Sequence, residues 1–266
     1  MYEFAYYRAK NLADAAQKLA ASGDAKLLAG GQTLIAAMKL RLAAPSDLVD
    51  LRDVAELRGI RNDGKNLVIG AMTRHAEVAS SKEVRQAIPA LAALAAGIGD
   101  PMVRNMGTLG GSVANNDPAA DYPAAVLGLG ATVTTNRRKI VADSFFTGMY
   151  ETVLEPGEII TSISFPIPKR AGYAKFKNPA SRYAIVGVFV ADFGGTVRVA
   201  VTGAGPSVFR VAEMEKTLAK NFSADAVAKV TVPADNLNSD IHASAEYRAH
   251  LVTVMSKRAV EQALTA

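Results

Sequence analysis

Two double glycines, Gly30-Gly31 and Gly110-Gly111, restrict this chain more than any other feature of its sequence. Paired glycines let a backbone bend where side chains would forbid it, and such bends commonly sit where a strand hands over to a helix. The first pair follows the short apolar run Ala25-Lys26-Leu27-Leu28-Ala29. It precedes Leu34, Ile35, Met38 and Leu42 at helical spacing, so the segment reads as strand, glycine turn and helix. In Ala29-Gly30-Gly31-Gln32-Thr33 the backbone amides can turn toward one point, which suits a phosphate; a plain strand-to-helix turn explains the same residues. Thr108-Leu109-Gly110-Gly111-Ser112 poses the same choice with hydroxyls at its flanks. Together the pairs weigh more, because two such bends in one domain can grip both phosphates of a diphosphate.

Around these bends the chain reads as α+β. Leu12, Ala16, Leu19 and Ala20 share one face of a first helix that Ser22-Gly23-Asp24 stops. Asn62-Asp63-Gly64-Lys65 between two strand-like runs is a hairpin turn. Residues 73–96 have helical character with Pro89 opening a second helix, and a long glycine-bearing stretch then runs to Asn116. Asp117-Pro118 has the form of an N-cap followed by a first-turn proline, opening an alanine-rich helix to about Leu129. Strands are expected at 131–135, 139–141 and 159–165, then a linker at 166–172. Beyond it come strands at 173–177, 185–193 and 197–202, with Gly194-Gly195 as a tight turn between the last two. The final stretch reads as helices, the last with Tyr247, Leu251, Val254, Met255 and Val260 on its inward face.

Composition removes whole classes of chemistry. With no cysteine among 266 residues, the chain cannot form disulfides, hold a cysteine-type zinc site or carry its own iron–sulfur cluster, so redox work requires an organic cofactor. The three histidines, His75, His242 and His250, fit no metal-ligand spacing, and His75 reads as a helix-start or packing residue. A formal charge of +5 could favour an anionic ligand, but the one short basic run, Arg137-Arg138-Lys139, lacks the interleaved aromatics of a nucleic-acid groove. No apolar run is long enough to cross a bilayer and the first residues carry no signal-peptide pattern, so the expectation is a cytoplasmic chain without an integral membrane segment. Gly128-Leu129-Gly130 breaks the dinucleotide fingerprint at its last glycine, and the near P-loop beginning at Gly59 ends in Asn66 and feeds a strand.

Several side chains carry two readings. Asp121 either supports a helix start by its charge or accepts hydrogen bonds from ligand hydroxyls near the second glycine pair. Lys26 and Lys177 either balance ligand charge or are solvated. Tyr183 either stacks on an aromatic ring or belongs to the core.

Taken in order, these pieces resemble the FAD-binding medium subunit of the molybdenum hydroxylases, the carbon monoxide and xanthine dehydrogenase family. The resemblance spans nearly the whole chain and is carried by residues 29–42, 69–77 and 99–123, followed by Gly157-Glu158-Ile159-Ile160 and Phe176-Lys177. It implies a two-lobed FAD-binding domain of the vanillyl-alcohol oxidase (PCMH) type over residues 1–170 and a smaller α+β C-terminal domain over 171–266. It implies a first FAD loop at Ala29, Gly30, Gly31, Gln32 and Thr33, preceded by contacts at Lys26, Leu27 and Leu28. A second loop falls at Thr108, Gly110, Gly111 and Ser112. Asp121 matches an acidic contact, Ile160 an apolar one and Lys177 a basic one, while Tyr183 falls where relatives bring a loop near the flavin ring. No catalytic acid or base is implied. Molybdopterin and 2Fe-2S clusters are expected on an iron–sulfur subunit and a molybdopterin subunit, in a dimer of heterotrimers. A non-redox, dinucleotide-binding regulatory or scaffold module is the contrasting expectation. The substrate and the external electron acceptor are left open.

Overall fold

The computed structural model describes residues 1–265. The first lobe alternates β1 (Ala5–Arg8), α1 (Leu12–Ala20), β2 (Lys26–Leu28), α2 (Leu34–Lys39) and β3 (Asp47–Asp50), and its strands pair in parallel in the order β1-β3-β2. Leu12, Ala16 and Leu19 turn α1 toward Val49, Leu51 and Val54, as their spacing requires. On the far side of the sheet Leu28, Met38 and Leu48 form a second small core. Leu42, expected on the face of α2, lies beyond its end and is exposed.

The second lobe begins with the hairpin of β4 (Ile60–Asn62) and β5 (Asn66–Gly70). Its turn holds Gly64 at φ +89°, with Gly64 N–H donating to Asn62 Oδ1. Six helices follow: α3 (His75–Ser80), α4 (Lys82–Ala87), α5 (Pro89–Ala96), α6 (Pro101–Met106), α7 (Leu109–Asn115) and α8 (Tyr122–Gly128). The chain returns through β6 (Thr132–Thr135), β7 (Lys139–Val141), a small ribbon of β8 (Phe146–Gly148) and β9 (Glu151–Thr152), and β10 (Ile160–Pro166). Together β4-β5-β10-β6-β7 make an antiparallel sheet under α5 and α8.

This helical region departs from the sequence expectation in three places. Residues 73–96 break at Ser81, whose backbone is extended and whose hydroxyl accepts from Val84 N–H, so α4 starts anew there. The long glycine-bearing stretch to Asn116, for which the sequence named no element, is two helices. Asp100 caps α6 with Pro101 behind it, and Thr108 caps α7 through Gly111 N–H, which places Gly110 and Gly111 inside a first turn. Asp117 does not cap the alanine-rich helix. Its Oδ1 accepts from Ala119 N–H in a local turn, and α8 begins four residues later behind Asp121.

The last third forms β11 (Arg170–Lys177), β12 (Ala184–Asp192), β13 (Val197–Thr202) and β14 (Phe209–Arg210), antiparallel in that order, then α9 (Ala212–Lys220), α10 (Ala224–Val227) and α11 (Ala245–Thr265). Every residue of β12 is buried because the strand is covered on both faces. Phe189 and Ala191 point with Tyr173 and Ala200 into the core around α8, while Val186, Val188 and Val190 point into the core under α11. Gly172 of β11 approaches α11 so closely that a Cβ there would lie 1.9 Å from the Ala259 carbonyl oxygen. Tyr247, read as inward-facing, is exposed and lays its ring edge-on to Phe176. Among the described residues no helix is long and apolar enough to cross a membrane.

Candidate functional site

The three regions meet around one cavity of about 750 Å³, within the range of sites that enclose a small-molecule cofactor. The bend after β2 supplies Lys26, Leu27, Ala29, Gly30, Gly31, Gln32 and Thr33 to its lining. The α6–α7 junction adds Thr108, Gly110, Gly111 and Ser112; Asp121 and Ile160 enter from the starts of α8 and β10, and Tyr183 from the turn before β12. Two candidates lie elsewhere. Leu28 points the other way, into the core with Met38 and Leu48, and Lys177 is exposed at the end of β11 outside the lining.

The glycine bends are in contact. A Cβ on Gly30 would come within 2.3 Å of the Met106 carbonyl oxygen and 2.7 Å of Gly107 Cα, and one on Gly111 within 3.5 Å of Ala29 Cβ. Their amides differ, however. Gly31 sits in the left-handed region at φ +71°, and among the described residues no acceptor faces the N–H groups of Gly30, Gly31, Gln32 or Thr33. In the second bend Leu109 N–H donates to Thr73 O, Gly110 N–H to Ala71 O and Gly111 N–H to Thr108 Oγ1. The expectation of two equivalent amide nests is therefore corrected. The first bend offers donors, and the second offers close approach and the Ser112 hydroxyl. Packing explains the difference, since Gly110 lies against Ala71, just past the end of β5, where a Cβ would sit 2.5 Å from the Ala71 Cβ.

Asp121 is buried, and both carboxylate oxygens are engaged within the chain. The Tyr173 hydroxyl donates to Oδ1, and Lys175 Nζ lies 2.9 Å from Oδ1 and 3.0 Å from Oδ2. Burial pushes the Asp121 carboxyl up while Lys175 and Tyr173 pull it down. His75 opens α3 as a packing residue. Its ring lies 5.3 Å from that of Tyr122, and burial, with Arg104 adding to it, lowers its pKa to about 4, so it is neutral at pH 7. Gly107 must lack a side chain here, because a Cβ would stand 2.5 Å from His75 Nε2.

Glu158, also at the cavity wall, is gripped by the Arg138 guanidinium at 2.9 and 3.0 Å, by Thr135 Oγ1 at 2.7 Å and by Glu155 N–H at 2.9 Å. The Arg138 bonds, then those from Glu155 and Thr135, lower its pKa from 4.5 to about 2. A carboxylate depressed in the folded state stabilises above its unfolded pKa, and that contribution is lost as pH falls through the folded one. Glu158→Gln should therefore lower the urea midpoint at pH 7, and the gap from the parent should narrow at pH 3; an equal gap at both pH values would contradict the pairing.

The family model described as the FAD binding domain in molybdopterin dehydrogenase matches residues 2–168, and that of the CO dehydrogenase flavoprotein C-terminal domain matches residues 171–263. The chain belongs to this family. It is 39% identical to the carbon monoxide dehydrogenase medium chain of Afipia carboxidovorans, over 98% of this chain and 96% of that one. With the nicotine 6-hydroxylase medium subunit of Paenarthrobacter nicotinovorans the identity is 36%, over 97% and 96% of the two chains. The solved structure of reconstituted CO dehydrogenase from Oligotropha carboxidovorans superposes with a TM-score of 0.89 at 36% identity, covering 99% of this chain and 98% of that one.

The residues present fit FAD. The cavity has the required size, and among the described residues the amides of its first bend have no acceptor within the chain, which leaves them able to donate to an anionic group. Gly30 and Gly111 stand where side chains would fill the gap between the bends. Sequence reasoning missed Lys175 and the engagement of Asp121, since the partner of Asp121 comes from a strand 54 residues away.

Proposed function

We propose that this chain is the flavin-bearing electron relay of a cytoplasmic molybdenum enzyme built as a dimer of heterotrimers. It receives electrons from an iron–sulfur subunit, which takes them from a molybdopterin subunit, and delivers them to an external acceptor. The observation that carries the reading is the contact between an amide-donating glycine bend and a second glycine bend on the wall of one large cavity. Bound FAD supplies the ability to take electrons singly and release them in pairs, so the chain's own task is to bind and orient.

In this reading the amides of Gly30, Gly31, Gln32 and Thr33 hold the pyrophosphate, with Thr108, Gly110, Gly111 and Ser112 closing on it from α7. Lys26 at the rim balances its charge, Leu27 and Ile160 offer apolar contact, Asp121 contributes to the wall, and Tyr183 covers the flavin ring. Leu28 and Lys177 act indirectly, Leu28 by anchoring the first bend in its small core and Lys177 as a cation at the edge of β11. No residue serves as catalytic acid or base, and the substrate belongs to a partner.

The test is Gly111→Asp, which places bulk and negative charge beside the pyrophosphate. The purified variant should fold with parental circular dichroism and lose the yellow colour, whereas undiminished FAD occupancy would refute the placement. The parent should bleach with dithionite and recover on reoxidation, and it should co-purify with a cluster-bearing subunit. A chain that carries FAD but never associates with such a subunit would count against the relay.

A further inference from the structure

We propose that Lys175 is a positioning residue that fixes the mouth of the flavin cavity, and with it Tyr183. The inference rests on the flavin reading above. The Lys175 side chain is 8% exposed, and its ammonium reaches three separate segments: Gly97 O at 2.9 Å, the Asp121 carboxylate at 2.9 Å and Arg182 O at 3.0 Å. An ammonium has three N–H donors, so this one is fully committed. Each acceptor lies next to cavity wall: Gly97 precedes Ile98 and Gly99, Asp121 itself lines the space, and Arg182 stands between Ser181 and Tyr183.

The third bond matters most. Residues 178–183 form a small closed loop, with Asn178 N–H donating to Tyr183 O at 2.8 Å and Asn178 Oδ1 accepting from Ala180 and Ser181. Arg182 is held in the left-handed region at φ +63°, a conformation that a non-glycine residue keeps only where its surroundings impose it. Lys175 binds the carbonyl of that residue, and the Arg182 guanidinium reaches Gly99 O at 3.3 Å across the same gap. The loop is thereby tied to the α5–α6 turn and to the head of α8. Tyr183, 47% exposed and on the cavity wall, inherits its orientation from those ties. Lys177, the basic residue that the family resemblance points to, lies outside this network and is exposed.

Removing the ammonium alone would leave the Asp121 carboxylate buried without a counterion, so the experiment compares Asp121→Asn with Asp121→Asn/Lys175→Met in the full chain. Neither variant holds an orphan carboxylate, and they differ only in the lysine. Flavin fluorescence and midpoint potential are read on FAD-loaded protein, and hydrogen exchange of residues 178–183 on FAD-free protein, with Tyr183→Ala as the reference.

The proposal expects several-fold brighter flavin in the double variant than in Asp121→Asn, equal to that of Tyr183→Ala, with a matching shift in potential and faster exchange in the loop. It is overturned if the double variant keeps the fluorescence of Asp121→Asn while Tyr183→Ala brightens. It is equally overturned if Tyr183→Ala itself changes nothing, because Tyr183 would then have no flavin to cover. Should the parent retain no FAD at all, the flavin reading falls separately. Loop exchange then decides for Lys175 alone, unchanged exchange overturning its role and faster exchange supporting it.

Discussion

A valine at position 30 should yield a folded chain whose FAD affinity has fallen by about 100-fold, roughly 3 kcal/mol. Any Cβ there meets the Met106 carbonyl oxygen at 2.3 Å and Gly107 Cα at 2.7 Å. Both are backbone atoms of the α6–α7 junction, so no rotamer change relieves the clash. The bend must move away from its counterpart, and the amides of Gly30 to Thr33 are carried with it. The core is spared because Gly30 is only partly buried and belongs to none of the large apolar clusters. Titration of the apoprotein with FAD, followed by flavin fluorescence, reads the change directly. Parental affinity in a folded Gly30→Val variant would mean that the contact between the bends has no part in binding.

Gly172→Ala is expected to cause the largest loss of stability, about 3 kcal/mol, the upper end for an overpacked site. At this point β11 and α11 touch backbone to backbone. A methyl group would lie 1.9 Å from Ala259 O and 2.9 Å from Ala263 N, and the ladder to β12, where Gly172 pairs with Val190, keeps the strand from sliding aside. Neither element can retreat without opening the core that contains Val188, Val252 and Val260. For a chain of this size such a loss lowers the calorimetric midpoint by roughly 6–12 °C. A midpoint within a degree of the parent would show that the strand and helix can part at little cost.

What the sequence made legible were features whose cause is local. The Asp63-Gly64 hairpin, the glycine bend after β2 and the apolar run of β12 each follow from a few adjacent residues, and all lie where expected. The helices α6 and α7 were also locally signalled, by Asp100-Pro101 and by the Thr108 cap, but Gly107, Gly110 and Gly111 hid that signal. In fact Gly110 and Gly107 make room for Ala71 and His75, which arrive from other elements. The start of α8 behind Asp121 and not at Asp117, and the burial of Lys175, which the sequence did not single out, turned on distant partners. Lys175 is the buried one because Tyr173 and Lys175 reach Asp121 from a strand far along the chain. The ladder also slips by a residue between Phe176 and Lys177, leaving Lys177 as the last residue of the strand, past the irregularity. No window of neighbouring residues contains that information.

The interior around α8 is completed by Tyr173, Phe189, Ala191 and Ala200, all from beyond the point where one family model stops and the next begins. A seam in evolutionary bookkeeping is thus not a seam in cooperativity. Severed near residue 170, the amino-terminal piece would present a raw greasy flank to solvent, and the remainder would lose the covering for one face of its central strand. The two segments are therefore expected to melt in a single calorimetric transition.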